Sequence, residues 1–314
     1  MGHIPTEHAY ALEVSYLMQT KGKRAWQCAY KNPFYGVTTF VGSVGNRELL
    51  GHYFGMYGFI NFPFVAKKHY VFSGKLGCGL AYTNKHYDPQ TNILGIAVST
   101  SINAQICLAL ENRFTFGNHS ISASLDMTHF SNGATKVPNL GLNLPYLSVG
   151  YGYRLRKAVD TTYTHSDFKR RWEFSATAIG SVKEIFPAGN RKYPIGGLNL
   201  AVRRIFRPKT GMELSFDVMY NESILSIHPD VPRRRDEIIQ LGIFAGYILP
   251  LNRLHFVLGM GWYARDKFVQ EENFYHRLGM RYVLDNGLHF NLTLKSHWAR
   301  ADYVEYGIGY TFRK

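Results

Sequence analysis

Period-two alternation is the dominant pattern along this chain. Between residues 121 and 128, Ile121, Ala123, Leu125 and Met127 alternate with Ser122, Ser124, Asp126 and Thr128. That is the signature of a strand with one apolar and one polar face. The rhythm recurs with almost no helical interruption. In the first half it predicts strands over 9–19, 33–44, 52–64, 70–83, 93–116, 120–132 and 145–156. In the second half it predicts strands over 172–186, 194–206, 211–227, 238–249, 255–264, 274–284, 288–298 and 303–312.

Some segments keep the rhythm poorly. Tyr53, Met56 and Phe59 break strict parity, which predicts a bulge in the third strand. Residues 93–116 are long for one membrane strand and predict a hidden hairpin. Turn signals stand between the strands: Gly45-Asn46, Asp88-Pro89, Gly117-Asn118-His119, Lys209-Thr210-Gly211 and Asn286-Gly287. Longer polar loops are expected over 157–170 and 228–236. Short turns mixed with longer loops suit a barrel with unequal rims.

In the last strand Tyr306, Ile308, Tyr310 and Phe312 oppose Glu305, Gly307, Gly309 and Thr311. An aromatic near such a C-terminus resembles the terminal signal of bacterial outer-membrane barrels, although Arg313 and Lys314 follow it here. A soluble β-sandwich would alternate similarly. Length, aromatic content and the unbroken succession of strands favour the membrane fold. The expected architecture is all-β, an antiparallel transmembrane outer-membrane β-barrel forming a single domain over 1–314. Single-chain bacterial barrels use even strand counts, so about 12 to 14 strands are expected and at least one of the fifteen segments is expected to be false.

Composition agrees with this picture. Aromatics make up 15% of the 314 residues, with 22 Tyr, 21 Phe and 30 Gly, a mixture that favours strands and tight turns. The net charge of +14 points to an anionic partner: phospholipid headgroups, phosphorylated glycolipid or nucleic acid. Nucleic acid is disfavoured, because the basic residues are spread along the chain and not gathered with aromatics on one segment. Cys28, Cys78 and Cys107 are widely spaced and form no C-x-x-C pair, so packing is their expected role and no metal site is expected. There is no run of roughly 18 apolar residues, hence no membrane helix. Met1 opens no basic and apolar leader. A mature chain in the bacterial outer membrane, its signal peptide removed, is the expectation.

One stretch breaks its own pattern. Continuing the apolar register from Met127 reaches His129 and Ser131. The strand after the loop carries Leu147, Val149, Tyr151 and Tyr153 on one face, and that register extends back to Asn143. Three polar side chains thus occupy positions where hydrocarbon-facing residues belong. An unsatisfied polar group in hydrocarbon costs about several kcal/mol, so the three should satisfy one another or lie at the interface. A serine, a histidine two positions before it and an amide on the next strand form a candidate nucleophile, base and orienting group. Interfacial hydrogen bonding is the non-catalytic alternative.

The run H-F-S-N-G-A-T-K-V-P-N-L-G-L-N, residues 129–143, resembles the active-site segment of the lipid A 3-O-deacylase family, grouped with acyloxyacyl hydrolases. The similarity extends upstream through residues 87–104. The resemblance implies an outer-membrane serine esterase that removes an acyl chain from lipid A, with Ser131 as nucleophile and His129 as base. It also implies oxyanion stabilisation by the Asn132 side chain and by amides near Gly133. Its substrate would be lipopolysaccharide, with outer-membrane lipids as surroundings and no metal. Two departures stand out. Members of this family carry Glu where this chain has Asn143, and eight-stranded members are about half as long. The outer-membrane phospholipases A also carry H-x-S-N-G with a later Asn, and they imply calcium and a homodimer. The P-N-L-G-L-N continuation lies closer to the deacylases, which rank first.

Other candidates are weaker. Lys295 and His297 share a face and could hold a lipid phosphate, although rim anchoring beside Trp298 is the plainer expectation. Arg233, Arg234 and Arg235, like Arg203 and Arg204, are expected to be solvated. H-E-x-x-H, G-x-S-x-G and the P-loop pattern are all absent. A non-enzymatic channel or structural barrel remains the alternative of a different class.

Overall fold

A computed structural model describes residues 4–155, 168–227, 234–268, 272–298 and 300–313. Most of the two long loops expected from sequence, including Arg233, lies outside the described residues. The chain divides into two compact units, one of residues 1–132 and 138–166, the other of 133–137 and 167–314.

The first unit is a meander of seven antiparallel strands: β1 (Tyr10–Gln19), β2 (Phe34–Ser43), β3 (His52–Ala66), β4 (Tyr70–Thr83), β5 (Ile102–Phe116), β6 (His119–Ser131) and β7 (Leu142–Tyr153). A five-residue helix, α1 (Ala25–Ala29), interrupts the β1–β2 connection. Tyr10 opposes Ser43, His52 opposes Ser43 in turn, and His119 opposes Tyr153, so consecutive strands run up and down in order. One end of the meander therefore carries the β1–β2, β3–β4 and β5–β6 connections. The other carries β2–β3, β4–β5 and β6–β7. Inward positions near this second end build an apolar core of Phe40, Tyr53, Tyr57, Phe130, Leu142 and Leu144. Phe130 packs at 4.5 Å from Tyr53 and 5.8 Å from Phe40, ring centre to ring centre.

The second unit closes on itself. Its strands are β8 (Arg171–Glu184), β9 (Lys192–Arg207), β10 (Thr210–Asn221), β11 (Ile239–Leu251), β12 (Leu254–Arg265), β13 (Phe274–Val283), β14 (Leu288–His297) and β15 (Arg300–Arg313), with a short helix α2 (Ile224–Ile227) after β10. β15 returns to β8 from Tyr306↔Gly180 to Arg313↔Glu173, which completes an eight-stranded barrel. Closure leaves no backbone edge unpaired, the condition for a strand structure in hydrocarbon. The faces are inverted relative to a soluble barrel. Tyr306, Ile308, Tyr310 and Phe312 point out, while Arg203, Glu213, Asp217, Arg277 and Glu305 are buried inside. Arg277 Nε and Nη2 donate to the two oxygens of Glu305 at 2.7 and 2.9 Å, and its Nη1 donates to Asp217 at 3.2 Å. The interior charge of these five residues is tolerated because each is paired with an opposite one.

The all-β antiparallel barrel expected from the sequence is therefore found, and among the described residues no helix is long and apolar enough to cross a membrane. The count differs. In place of one set of 12 to 14 strands, the described residues form fifteen strands, seven in one sheet and eight in the other. Alternation reports that a segment is a strand but not which segment it pairs with, so the pairing of β15 with β8 could not be read from it. All fifteen segments contain real strands. Residues 93–101 are an irregular connector, so no hairpin is hidden there. In β3 the register shift falls between Pro63 and Val65, beyond the residues whose parity suggested it.

Candidate active site

The site follows from simple strand geometry. Thr128, Phe130, Leu142 and Leu144 are buried in the first unit. Their chain neighbours His129, Ser131 and Asn143 must then point to the other face. β6 and β7 pair so that His129 lies directly opposite Asn143. His129 Nδ1 and Asn143 Oδ1 are 2.7 Å apart. A carbonyl oxygen only accepts, so the proton of this bond sits on Nδ1 and the lone pair of the imidazole is on Nε2. Ser131 is the next position on the same face.

Two further residues complete the local structure. Asn139, in the β6–β7 connection, accepts from the backbone N–H of Asn132 at 3.0 Å through Oδ1. That bond orients the amide, because a backbone N–H must face oxygen. The Nδ2 of Asn139 is thereby turned to Ser131 and donates to Oγ at 2.9 Å, with Oδ1 at 3.3 Å from the same Oγ. Asn139 was missed in the sequence reading, although it lies inside the P-N-L-G-L-N run. Its signal was its type alone, since it sits in a loop where no alternation marks a face. Gly141 backs onto the imidazole. A Cβ there would lie 2.9 Å from His129 Cε1, and its φ of +73° is in the region that favours glycine.

Asn132 is buried, and its Nδ2 donates to Ser99 Oγ at 3.0 Å. Gly133 follows with φ +65° and Ala134 with φ +61°. The connection is braced by the 84–101 segment: Gly141 N–H donates to Ala97 O at 2.9 Å and Leu140 N–H to Ile96 O at 3.4 Å. Ala97 and Val98 are buried in the core described above.

Around the three polar residues the outward face is apolar. Cross-strand rows run Ile106–His129–Asn143, then Leu108–Met127–Pro145, then Leu110–Leu125–Leu147. Leu108, Met127, Leu110, Leu125 and Leu147 are all exposed.

Models of two protein families match the chain. The one for lipid A 3-O-deacylase (PagL) matches residues 10–154, and the one for the acyloxyacyl hydrolase C-terminal domain matches residues 172–314. The chain belongs to the lipid A 3-O-deacylase family of acyloxyacyl hydrolases. The deacylase match spans the seven-stranded unit and all of His129, Ser131, Asn139 and Asn143. The C-terminal match spans the closed barrel, which explains the length that the deacylase segment leaves over. Membership implies an ester hydrolase, and the family and fold are consistent with an outer-membrane protein.

No curated protein matches the chain. Among solved structures, a triple mutant of the Rhodopseudomonas blastica porin is 8% identical over 97% of this chain and 91% of that one, with a TM-score of 0.19. A second engineered form of the R. blastica porin gives the same identity, coverage and score. Scores of that size do not establish a shared fold.

The remaining sequence candidates fall elsewhere. Lys295 points into the closed barrel, buried, with its Nζ 3.1 Å from Tyr303 Oη and 4.7 Å from the centre of the Tyr263 ring. It is therefore no ligand of a surface phosphate. His297 Nδ1 contacts Phe274 O at 3.0 Å, and exposed Trp298 bonds Glu272. Arg203 is buried against Glu213, Arg204 stacks on Trp172, and Arg234 pairs with Asp236. Cys28, Cys78 and Cys107 are not joined in disulfides.

Proposed function

We propose that the chain is an outer-membrane serine esterase that hydrolyses an ester-linked acyl chain of lipid A. Ser131 is the nucleophile, His129 the general base and Asn143 the orienting group. In acylation the Ser131 Oγ bonds the ester carbonyl carbon while its proton passes to His129 Nε2. The bond between that carbonyl carbon and the sugar oxygen then breaks, and the sugar oxygen takes that proton and leaves as a hydroxyl. In deacylation water, its proton taken by the same Nε2, releases the fatty acid and restores Ser131. The negative oxygen of each tetrahedral intermediate needs donors. Asn139 Nδ2, next to the nucleophile, supplies one, and the Gly133 amide and the Asn132 side chain are the others. The Asn132 amide must serve while it also bonds Ser99.

The observation that carries this reading is the His129–Asn143 bond at the head of an apolar track. Successive same-face rows on a strand are about 7 Å apart, so the two rows below His129 offer about 14 Å of hydrocarbon contact. That is the scale of one acyl chain. An ester between a sugar and an acyl chain lies where polar and apolar zones meet, and so does this row of side chains. Deacylase-family membership supports lipid A as the substrate class.

Asn143 supports a second reading, a phospholipase A of the same triad, since an amide in place of an acid is that enzyme's arrangement. One experiment separates the two. The detergent-folded chain and its Ser131→Ala variant are incubated with lipid A and with phospholipid, with and without calcium, and the products are weighed by mass spectrometry. Loss of one acyl chain from lipid A, absent in the variant, is expected. Lysophospholipid formed only with calcium would give the phospholipase reading, and no change in either lipid would sink both.

A further inference from the structure

The two ends of the seven-stranded unit differ sharply in charge. At the end that holds the site, the connections 44–51, 84–101 and 132–141 and the leading residues 4–9 contain Arg47, Lys85 and Lys136 against Glu7, Glu48 and Asp88. These balance. At the other end, residues 20–33 contain Lys21, Lys23, Arg24 and Lys31, and residues 67–69 contain Lys67 and Lys68. Arg154 follows β7 at the same end, held by its N–H on Asn118 O at 2.8 Å. The three connections at this end, residues 20–33, 67–69 and 117–118, contain no Asp or Glu. Six like charges against none in these three connections is not what scattered solvated loops produce.

The topology gathers them. Because the meander runs up and down in order, the first, third and fifth connections must share one end. Contacts agree with this: Lys31 Nζ donates to Phe64 O, and Thr115 N–H donates to His69 O at 2.9 Å. Lys21, Lys31, Lys67, Lys68 and Arg154 line the mouth of one cavity of about 1250 Å³. Just inside the ring of charge lies a belt of exposed aromatics, Phe64, Phe114, Phe116, Tyr151 and Tyr153. Aromatic side chains favour the boundary between hydrocarbon and headgroups. Lysine and arginine immediately beyond that boundary meet the headgroup phosphates.

We propose that this basic rim docks on the phosphate groups of anionic phospholipid in the leaflet opposite the one that the catalytic rim faces. The contact rests on the outer-membrane placement proposed above. It seats the seven-stranded unit by one end, with the aromatic belt at the hydrocarbon boundary and the lysines in the phosphate plane. The charge-balanced rim is left for substrate. Each basic residue close to an anionic surface contributes attraction that salt weakens.

Trp26, within α1 of the basic rim, is a reporter in place. In the full chain, Trp172, Trp262 and Trp298 are replaced by Phe, and the protein is reconstituted in phosphatidylcholine vesicles holding a minor fraction of brominated phosphatidylglycerol. Quenching of Trp26 then measures the local fraction of anionic lipid. At low salt the local fraction should exceed the bulk fraction by about fivefold or more. It should return to the bulk value in the variant Lys21→Glu, Lys23→Glu, Lys67→Glu, Lys68→Glu, and stay enriched in Arg47→Glu, Lys85→Glu. Quenching that follows the bulk fraction in the parent, or that is equal in the four-site variant, overturns the proposal. Circular dichroism of each sample reports folding. Lipid A deacylation by the same vesicles is read separately, so a failed activity assay and a failed docking assay are distinguishable.

Discussion

His129 and Asn143 face each other across β6 and β7, with Nδ1 and Oδ1 2.7 Å apart, on the outward side of a wall whose inward side carries Phe130, Leu142 and Leu144. The bond fixes the imidazole tautomer. As a neutral amide, Asn143 does not stabilise the imidazolium that forms during catalysis.

Asn143→Glu should therefore raise kcat, by about tenfold or more, because a carboxylate at this position would hold the same proton and add charge stabilisation. Asn143→Ala should lower kcat by about 10- to 100-fold, since the ring loses its orientation. Steady-state release of fatty acid from lipid A reads both. A Glu variant slower than the parent would mean that the amide is the tuned group.

Asn139→Ala removes both the donor beside Ser131 Oγ and the acceptor for the Asn132 amide. A loss of about 100-fold or more in kcat with little change in KM is expected of an oxyanion donor. Asn139→Asp keeps the acceptor but not the donor, so it should fold like the parent and remain slow. Recovery of activity in the Asp variant would show that Asn139 acts on the backbone alone.

Glu305→Gln in the closed barrel leaves Arg277 with one carboxylate, Asp217, and disrupts a bidentate pair that is buried on all sides. Removing one partner of such a pair costs about 3–5 kcal/mol. The barrel should lose its resistance to heat in detergent gels at a markedly lower temperature. An unchanged transition would mean that water reaches the pair.

Asp88 gives a pH dependence of known sign. The backbone N–H groups of Thr91 and Gln90 donate to its carboxylate at 2.8 and 2.9 Å, and the Thr91 hydroxyl adds a third bond at 2.9 Å. These bonds, that of the Thr91 amide foremost, hold its pKa below the usual carboxylate value. A depressed folded pKa stabilises the fold above the unfolded pKa of about 3.9 and ceases to do so as pH falls through the folded value. The stability difference between the parent and Asp88→Asn should thus be present from pH 5 to 7, by about the same amount throughout, and shrink below about pH 4. Thermal melts across that range measure it. A difference that grows on acidification would reverse the assignment.

Much of this protein is written in its local pattern. Period two marked all fifteen segments, although at least one was expected to be false, and it set His129, Ser131 and Asn143 on one face, because side chains of a strand alternate whatever the strand pairs with. The same argument located the apolar track below them. What the pattern lacked was every relation between distant segments. Whether strands close into one sheet or two depends on β15 meeting β8, and alternation is identical in either case. Asn139 gained its place from a loop that doubles back on Ser131. Lys21, Lys67 and Arg154 are far apart in sequence, and only the up-and-down order of strands brings them to one rim. Side-chain direction is a local property of the backbone and can be read from sequence. Proximity between segments is a property of the closed chain, and only the tertiary structure decided it.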